Sequence, residues 1–306
     1  MIPRPRGSLL VVFLIGIVGF LIAACSTSGA TRSTPTGSPS PSANATAGAT
    51  GTPPLIPANA GLDKARALVK DPNRDPLPAN QELADQIKLG YQIMVDTPGQ
   101  AGHYAGNGLS CTNCHLNAGQ KDKALPLTGI AADFPQYSAR EGRLITLEDR
   151  IRGCFLRSEN GTAPPYDSKE LLAVAAYITW ISYGQPVGET PPWAHQNRIA
   201  KENLLPPEKL NPDQGKQLFN QQCVACHGPD GQGLQLGQVK PGPLWGPESW
   251  NDGAGLARVE TLAGFIRYAM PLNAPGSLTD EQAQQIAAFI DSQPRPHFER
   301  QASDAC

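Results

Sequence analysis

The chain has 306 residues, enough for two domains, with 40% hydrophobic and only 17% charged residues. A formal net charge of −2 and a pI near 6.2 exclude the basic stripe of a nucleic-acid binder, so no nucleic-acid partner is expected. Gly (31) and Pro (30) make up about a fifth of the chain, and seven Cys and five His carry most of its information. Arg4 and Arg6 lead into an apolar stretch from Leu9 to Ala24 that ends in Ile22-Ala23-Ala24-Cys25. That run is short for a spanning helix and reads as an export signal over 1–24. Residues 25–57 form a tether rich in Ser, Thr, Pro and Gly, too poor in apolar surface to fold, with an r.m.s. reach of roughly 30 Å.

Helical periodicity follows over Gln81 to Val95, with Leu83, Ile87, Tyr91 and Met94 on one stripe. Next comes Cys111-Thr112-Asn113-Cys114-His115, and further on Cys223-Val224-Ala225-Cys226-His227. Both read C-x-x-C-H, the attachment motif of c-type heme. Two thiols three residues apart reach the two vinyl groups of one porphyrin, and the adjacent imidazole faces the iron. A redox dithiol needs no following His, and half a zinc site fits an exported chain less well. Two covalently bound heme c groups are therefore expected, held by Cys111, Cys114, Cys223 and Cys226, with His115 and His227 as proximal iron ligands.

The same plan runs twice. A second helix spans Pro212 to Gln222 behind an Asn211 N-cap, and closing helices span Ser168 to Tyr183 and Thr279 to Ser292. Gly90-Tyr91-Gln92-Ile93 aligns by type with Gly215-Lys216-Gln217-Leu218, and Ala175-Ala176-Tyr177-Ile178 with Ala287-Ala288-Phe289-Ile290. This order of helix, C-x-x-C-H, loops and helix resembles the small class I cytochrome c domain. The resemblance implies an all-α fold of two such domains in tandem, at 58–185 and 209–306, joined by a proline-rich linker at 186–208 that packs over both. In that fold the first and last helices cross, and Gly90 and Gly215 suit a close approach.

The sixth iron position is readable in the second domain, where Met270-Pro271 lies 47 residues after Cys223 and just before the closing helix. The first domain has no methionine there; it has Cys154, 43 residues after Cys111. Spacing alone leaves three readings of Cys154: a distal ligand, a disulfide with Cys306, or a free buried thiol. Met94 and His103 are rival ligands on the wrong side of the motif.

Two segments resolve the choice by likeness. Gly106 to Gly119, which contains Leu109-Ser110-Cys111-Thr112-Asn113-Cys114-His115, resembles the first heme region of the diheme thiosulfate dehydrogenases. Leu147-Glu148-Asp149-Arg150-Ile151-Arg152-Gly153-Cys154-Phe155 is similar to that family's distal-cysteine segment. A cysteine following this signal pattern resembles the lipobox of bacterial lipoproteins, which implies lipidation of Cys25 and a location outside the cytoplasm, anchored to a membrane. The dehydrogenase likeness implies oxidation of two thiosulfates to tetrathionate at a His/Cys heme, reversible from the same site. Electrons would pass through a His/Met heme to an external acceptor such as a small cytochrome c. It further implies Cys154 as ligand, with Arg140, Arg150 and Ser158 lining the substrate pocket; Arg152 and Arg157 are nearby cations of the same type. Ala269 stands where the family can carry a lysine beside its methionine, so a Lys/Met ligand exchange is not expected. The alternatives are a tethered diheme electron carrier without catalysis, and an enzyme that conjugates thiosulfate to a carrier protein.

Overall fold

A computed structural model describes residues 55–237 and 239–299. The export signal, Cys25, most of the tether and Cys306 lie outside the described residues. Each half is built on a helix pair whose ends are set by side-chain caps. Asn80 accepts from the Leu83 amide at the start of the opening helix Gln81–Val95, and Ser168 accepts from the Leu171 amide before the closing helix Lys169–Ile181. In the second half Asn211 caps Pro212–Gln222, and a Thr279/Gln282 capping box starts Asp280–Asp291. All four agree with the helices expected from the sequence to within two residues.

The two helices of each pair cross at a glycine. A Cβ on Gly90 would lie 2.0 Å from the Ala173 carbonyl oxygen and 2.7 Å from Tyr177 Cβ. On Gly215 it would lie 2.0 Å from the Gln285 carbonyl oxygen and 2.8 Å from Phe289 Cβ. Tyr177 and Phe289 therefore occupy the same place in the two halves, four residues beyond the carbonyl that each glycine meets. Around the first crossing Ile87, Ile93, Leu171 and Ile178 are buried; around the second, Phe219, Ile286 and Ala287. Phe219, Trp245 and Phe289 form a triangle with ring centroids 5.4 to 5.6 Å apart.

Each half adds one helix between its motif and its closing helix. Leu147–Arg157 carries Cys154 and begins at a Thr146/Asp149 capping box, and Val259–Ala269 ends at Met270. The first half also has two short antiparallel strands, Gln136–Ser138 and Arg143–Ile145, with Arg140 in their connection. This short hairpin is a small addition to the expected all-α fold; three-residue strands leave too short an alternation to be read from sequence.

The described residues form one compact unit. Buried asparagines fasten its two halves. The Asn251 side chain donates to the Leu156 carbonyl (2.9 Å) and to Asn160 Oδ1 (3.0 Å), while its amide donates to the Arg157 carbonyl (3.1 Å). Asn107 donates from its side chain to the carbonyls of Ser158 (2.9 Å) and Ser249 (3.2 Å). The linker touches both halves, through Trp193 Nε1 donating to the Thr128 carbonyl (2.8 Å) and the Leu205 amide donating to Gln284 Oε1 (2.7 Å). Folded chain starts earlier than the expected tether end at 57. Leu55 and Ile56 are buried, and Ile56 exchanges hydrogen bonds with Gln120 and Asp122 because the turn after the first motif leaves its backbone groups open to a partner.

The crossings give a direct expectation. Gly215→Ala drives a methyl into a backbone carbonyl and should cost about 1–3 kcal/mol or more, read as a lower denaturant midpoint by circular dichroism. Gly255→Ala, where an added Cβ meets nothing within 4 Å, should stay within about 0.5 kcal/mol of the parent.

Candidate heme sites and an arginine-lined cavity

Ser110 begins the first motif as the cap of a tight turn over Cys111–Asn113, with Asn113 Oδ1 accepting from the Ser110 amide at 2.7 Å. His115 Nδ1 lies 2.6 Å from the Leu125 carbonyl. That contact puts the proton on Nδ1 and leaves Nε2 as the lone-pair donor, the arrangement a metal-binding imidazole needs. Burial pushes the Cys111 thiol well up and Cys114 to about 12, and lowers His115. In the second motif burial pushes Cys223 to about 12 and His227 down to about 4. Among the described residues His227 Nδ1 is buried without a hydrogen-bond partner.

The two motifs open into one cavity of about 650 Å³. Thr112, Asn113 and Cys114 line it from the first half; Cys223, Cys226, His227 and Met270 line it from the second. Its walls include Leu256, Leu262, Phe265 and Ile266, so the space is mainly apolar with few polar groups, as a macrocycle site requires. The motif cysteines are free thiols rather than disulfides. This donor set fits a c-type heme at each motif: two thiols for covalent attachment, one neutral imidazole, and in the second half a thioether across the cavity. Halves approach closely at this point, since a Cβ on Gly242 would lie 2.1 Å from Leu109 Cδ2.

Cys154 is half-buried on its helix, near enough to Cys111 and Cys114 for their charges to interact. The two rivals point elsewhere: Met94 is buried in the helix core, and His103 is exposed beside Glu170 at 4.0 Å. One turn before and one turn after Cys154 stand Arg150 and Ser158.

A second cavity, of about 260 Å³, runs along this helix past Arg150, Gly153 and Arg157. Six arginines line it against two carboxylates, Glu141 and Asp149. Most of the six have partners. Arg143 pairs with Asp149 (3.0 Å) and Arg157 with Glu141 (3.3 Å). Arg152 donates to the Pro164 carbonyl and stacks over Tyr166 with its guanidinium carbon 4.1 Å from the ring centre. Arg140 reaches from the hairpin to the Gly253 carbonyl (2.9 Å). Burial lowers Arg140, and the neighbouring guanidinium groups of Arg157, Arg258 and Arg150 lower it further. Burial works against the Asp149 carboxylate, yet Arg143, Tyr166 and the Thr146 amide together hold it at about 2.

Of the residues expected at a substrate pocket, Arg140 and Arg150 line this cavity, and Arg152 and Arg157 line it as well. Ser158 is the C-cap of the Cys154 helix and is not among the lining residues. Sequence reasoning missed Arg258, which enters from the second half; nothing in its local pattern marks it, because only the folded chain brings it beside Arg140.

Residues 103–187 match the family described as SoxA/TsdA, cytochrome c domain, and residues 210–290 match cytochrome c oxidase, cbb3-type, subunit III. The thiosulfate dehydrogenase of Allochromatium vinosum is 42% identical over 232 residues, covering 72% of this chain and 83% of that protein. That of Stutzerimonas stutzeri is 40% identical over 243 residues, covering 79% and 77%. The solved thiosulfate dehydrogenase TsdBA from Marichromatium purpuratum superposes with a TM-score of 0.69 at 31% identity, over 76% of this chain and half of that one. Two cytochrome c domains in tandem thus carry two covalently bound heme c groups.

The depressed Asp149 carboxylate contributes stability that is present above the unfolded value near 3.8 and is lost as pH falls towards about 2. Replacing it in Asp149→Asn should flatten that part of the curve when the unfolding midpoint is followed from pH 5 to pH 2. At pH 7 the variant should be less stable than the parent, because the capping box and the Arg143 pair both lose their charge-assisted bonds.

Proposed function

The chain belongs to the diheme thiosulfate dehydrogenase family, and from that premise we propose that two thiosulfate dianions are joined in the arginine-lined cavity beside Cys154. The reaction converts two thiosulfates into one tetrathionate and two electrons, with one new bond between the outer sulfurs. Two dianions about 6 Å apart repel by roughly 11 kcal/mol at an effective dielectric of 20. A cavity with six arginines and two carboxylates supplies the opposing field, and that excess of cations along the Cys154 helix is the observation that carries the reading.

Arg150 and Arg140 bind oxyanions through their planar forks, which match sulfonate oxygens. Ser158, one turn beyond Cys154, closes the same helix and does not line the cavity, so the anion contacts fall to the arginines. Cys154 shares its helix with Arg150 and Arg157; burial lowers Arg157, and Cys154 and Glu141 partly offset this. When bound, the hemes supply one-electron acceptors: His115 and Cys154 would hold one iron, His227 and Met270 the other. A thiolate favours the ferric state and a thioether the ferrous one, so Cys154 and Met270 order the two centres by potential. Residues of both motifs, Cys114 from the first and Cys223, Cys226 and His227 from the second, line one cavity.

Attachment of heme c outside the cytoplasm and the pattern ending at Cys25 support an exported, lipid-anchored protein that passes electrons to an external redox protein. Among the described residues no helix is long and apolar enough to cross a membrane. Tetrathionate reduction uses the same cavity in reverse.

The test is tetrathionate formation by the full-length holoprotein with ferricyanide as acceptor. Two ferricyanides reduced per tetrathionate formed is the expected result. No tetrathionate with both hemes intact would favour the tethered electron carrier, and labelled thiosulfate found on a carrier protein would favour conjugation. Arg150→Ala should lower kcat/KM by about tenfold to a hundredfold with unchanged heme absorption, as expected for one charge-assisted contact. Cys154→Met should abolish substrate-dependent heme reduction, whereas a simple carrier would tolerate it.

A further inference from the structure

We propose that Arg258, contributed by the C-terminal half, binds the sulfonate end of the second thiosulfate, so that the substrate cavity is completed only by both halves together. This rests on the reading of the arginine-lined cavity as the thiosulfate site and adds a residue that the likeness to the family did not supply.

The argument starts from which guanidinium groups are already engaged. Arg143 and Arg157 are paired with carboxylates, Arg152 donates to a carbonyl and stacks on Tyr166, and Arg140 donates to Gly253. Among the described residues, the side chains of Arg150 and Arg258 make neither a hydrogen bond nor an ion pair, and both are exposed to the cavity they line. The reaction needs two anion-binding ends, because its product carries a sulfonate at each end. Arg150 sits on the Cys154 helix one turn from the sulfur, which suits the first thiosulfate. Arg258 lines the same space from the other half of the molecule, which suits the second.

Arg258 is held in place by backbone rather than by its own side chain. The segment leading to it is fixed by Asn251, whose amide and side chain bond to the end of the Cys154 helix, and by the Arg140 contact to Gly253. Arg258 itself caps the helix Val259–Ala269 with no side-chain hydrogen bond, so its guanidinium is not needed to start the helix. That helix ends at Met270 and lines the large cavity through Leu262, Phe265 and Ile266. One rigid element thus joins the second anion position to the second heme ligand.

The test uses the oxidised full-length holoprotein without reductant, titrated with tetrathionate by calorimetry, alongside steady-state thiosulfate oxidation. Arg258→Ala should weaken tetrathionate binding at least about tenfold and raise the KM for thiosulfate by a similar factor. Heme absorption and unfolding midpoint should match the parent. Arg258→Lys should recover part of the binding, since it restores the charge without the fork. Unchanged tetrathionate binding and KM in Arg258→Ala would overturn the proposal while leaving the reaction intact. Equal loss in both variants together with a lowered unfolding midpoint would also overturn it, by making Arg258 a structural residue. A parent protein that neither binds tetrathionate nor oxidises thiosulfate would remove the proposal along with the reaction it serves.

Discussion

Everything functional in this molecule depends on two buried asparagines. Asn251 and Asn107 tie the end of the Cys154 helix to the 249–251 stretch of the C-terminal half, ahead of the helix Val259–Ala269. Each is buried and satisfied by backbone carbonyls or a partner amide, so separating the halves would leave several polar groups without partners. Neither cavity survives such a separation. The large one is lined from both heme motifs, and the small one takes Arg258 and Phe298 from the C-terminal half. Two cytochrome domains linked only by a flexible chain would offer neither a fixed distance between redox centres nor a complete anion site.

The cation excess has a counterpart in how it is tolerated. Six arginines in one cavity repel each other, and the chain limits that repulsion by pairing selected members with Asp149 and Glu141. Asp149 does two jobs at once. It closes the capping box that starts the Cys154 helix and it anchors Arg143, so the same carboxylate sets both the helix and part of the field around it. The guanidinium groups left over are those with no role in holding the fold.

Much of this was legible in the sequence, for identifiable reasons. Helix ends are local: the Asn211 N-cap expected from the sequence forms, and Asn80, Ser168 and Thr279 cap the other three helices in the same way. Gly90 and Gly215 could be placed at crossings through the resemblance to the class I cytochrome c domain, and the Cys and His spacing of the heme motifs reflects covalent reach. What stayed hidden is what depends on distant parts of the chain. Arg258 looks like any surface arginine until Asn251 brings its segment against the Cys154 helix. Likewise Leu55 and Ile56 look like the end of a tether until Gln120 and Asp122 give the Ile56 backbone its partners. The hairpin carrying Arg140 has strands too short for alternation to register.

That hairpin has a further consequence. A two-stranded ribbon with three residues per strand is not stable alone, so its order depends on the surfaces it rests on. Its tip is held by the Arg140 bond to Gly253, which belongs to the other half. The wall of the anion site therefore takes its order from its neighbours, Gly253 of the other half and Asp149 and Arg157 of the Cys154 helix.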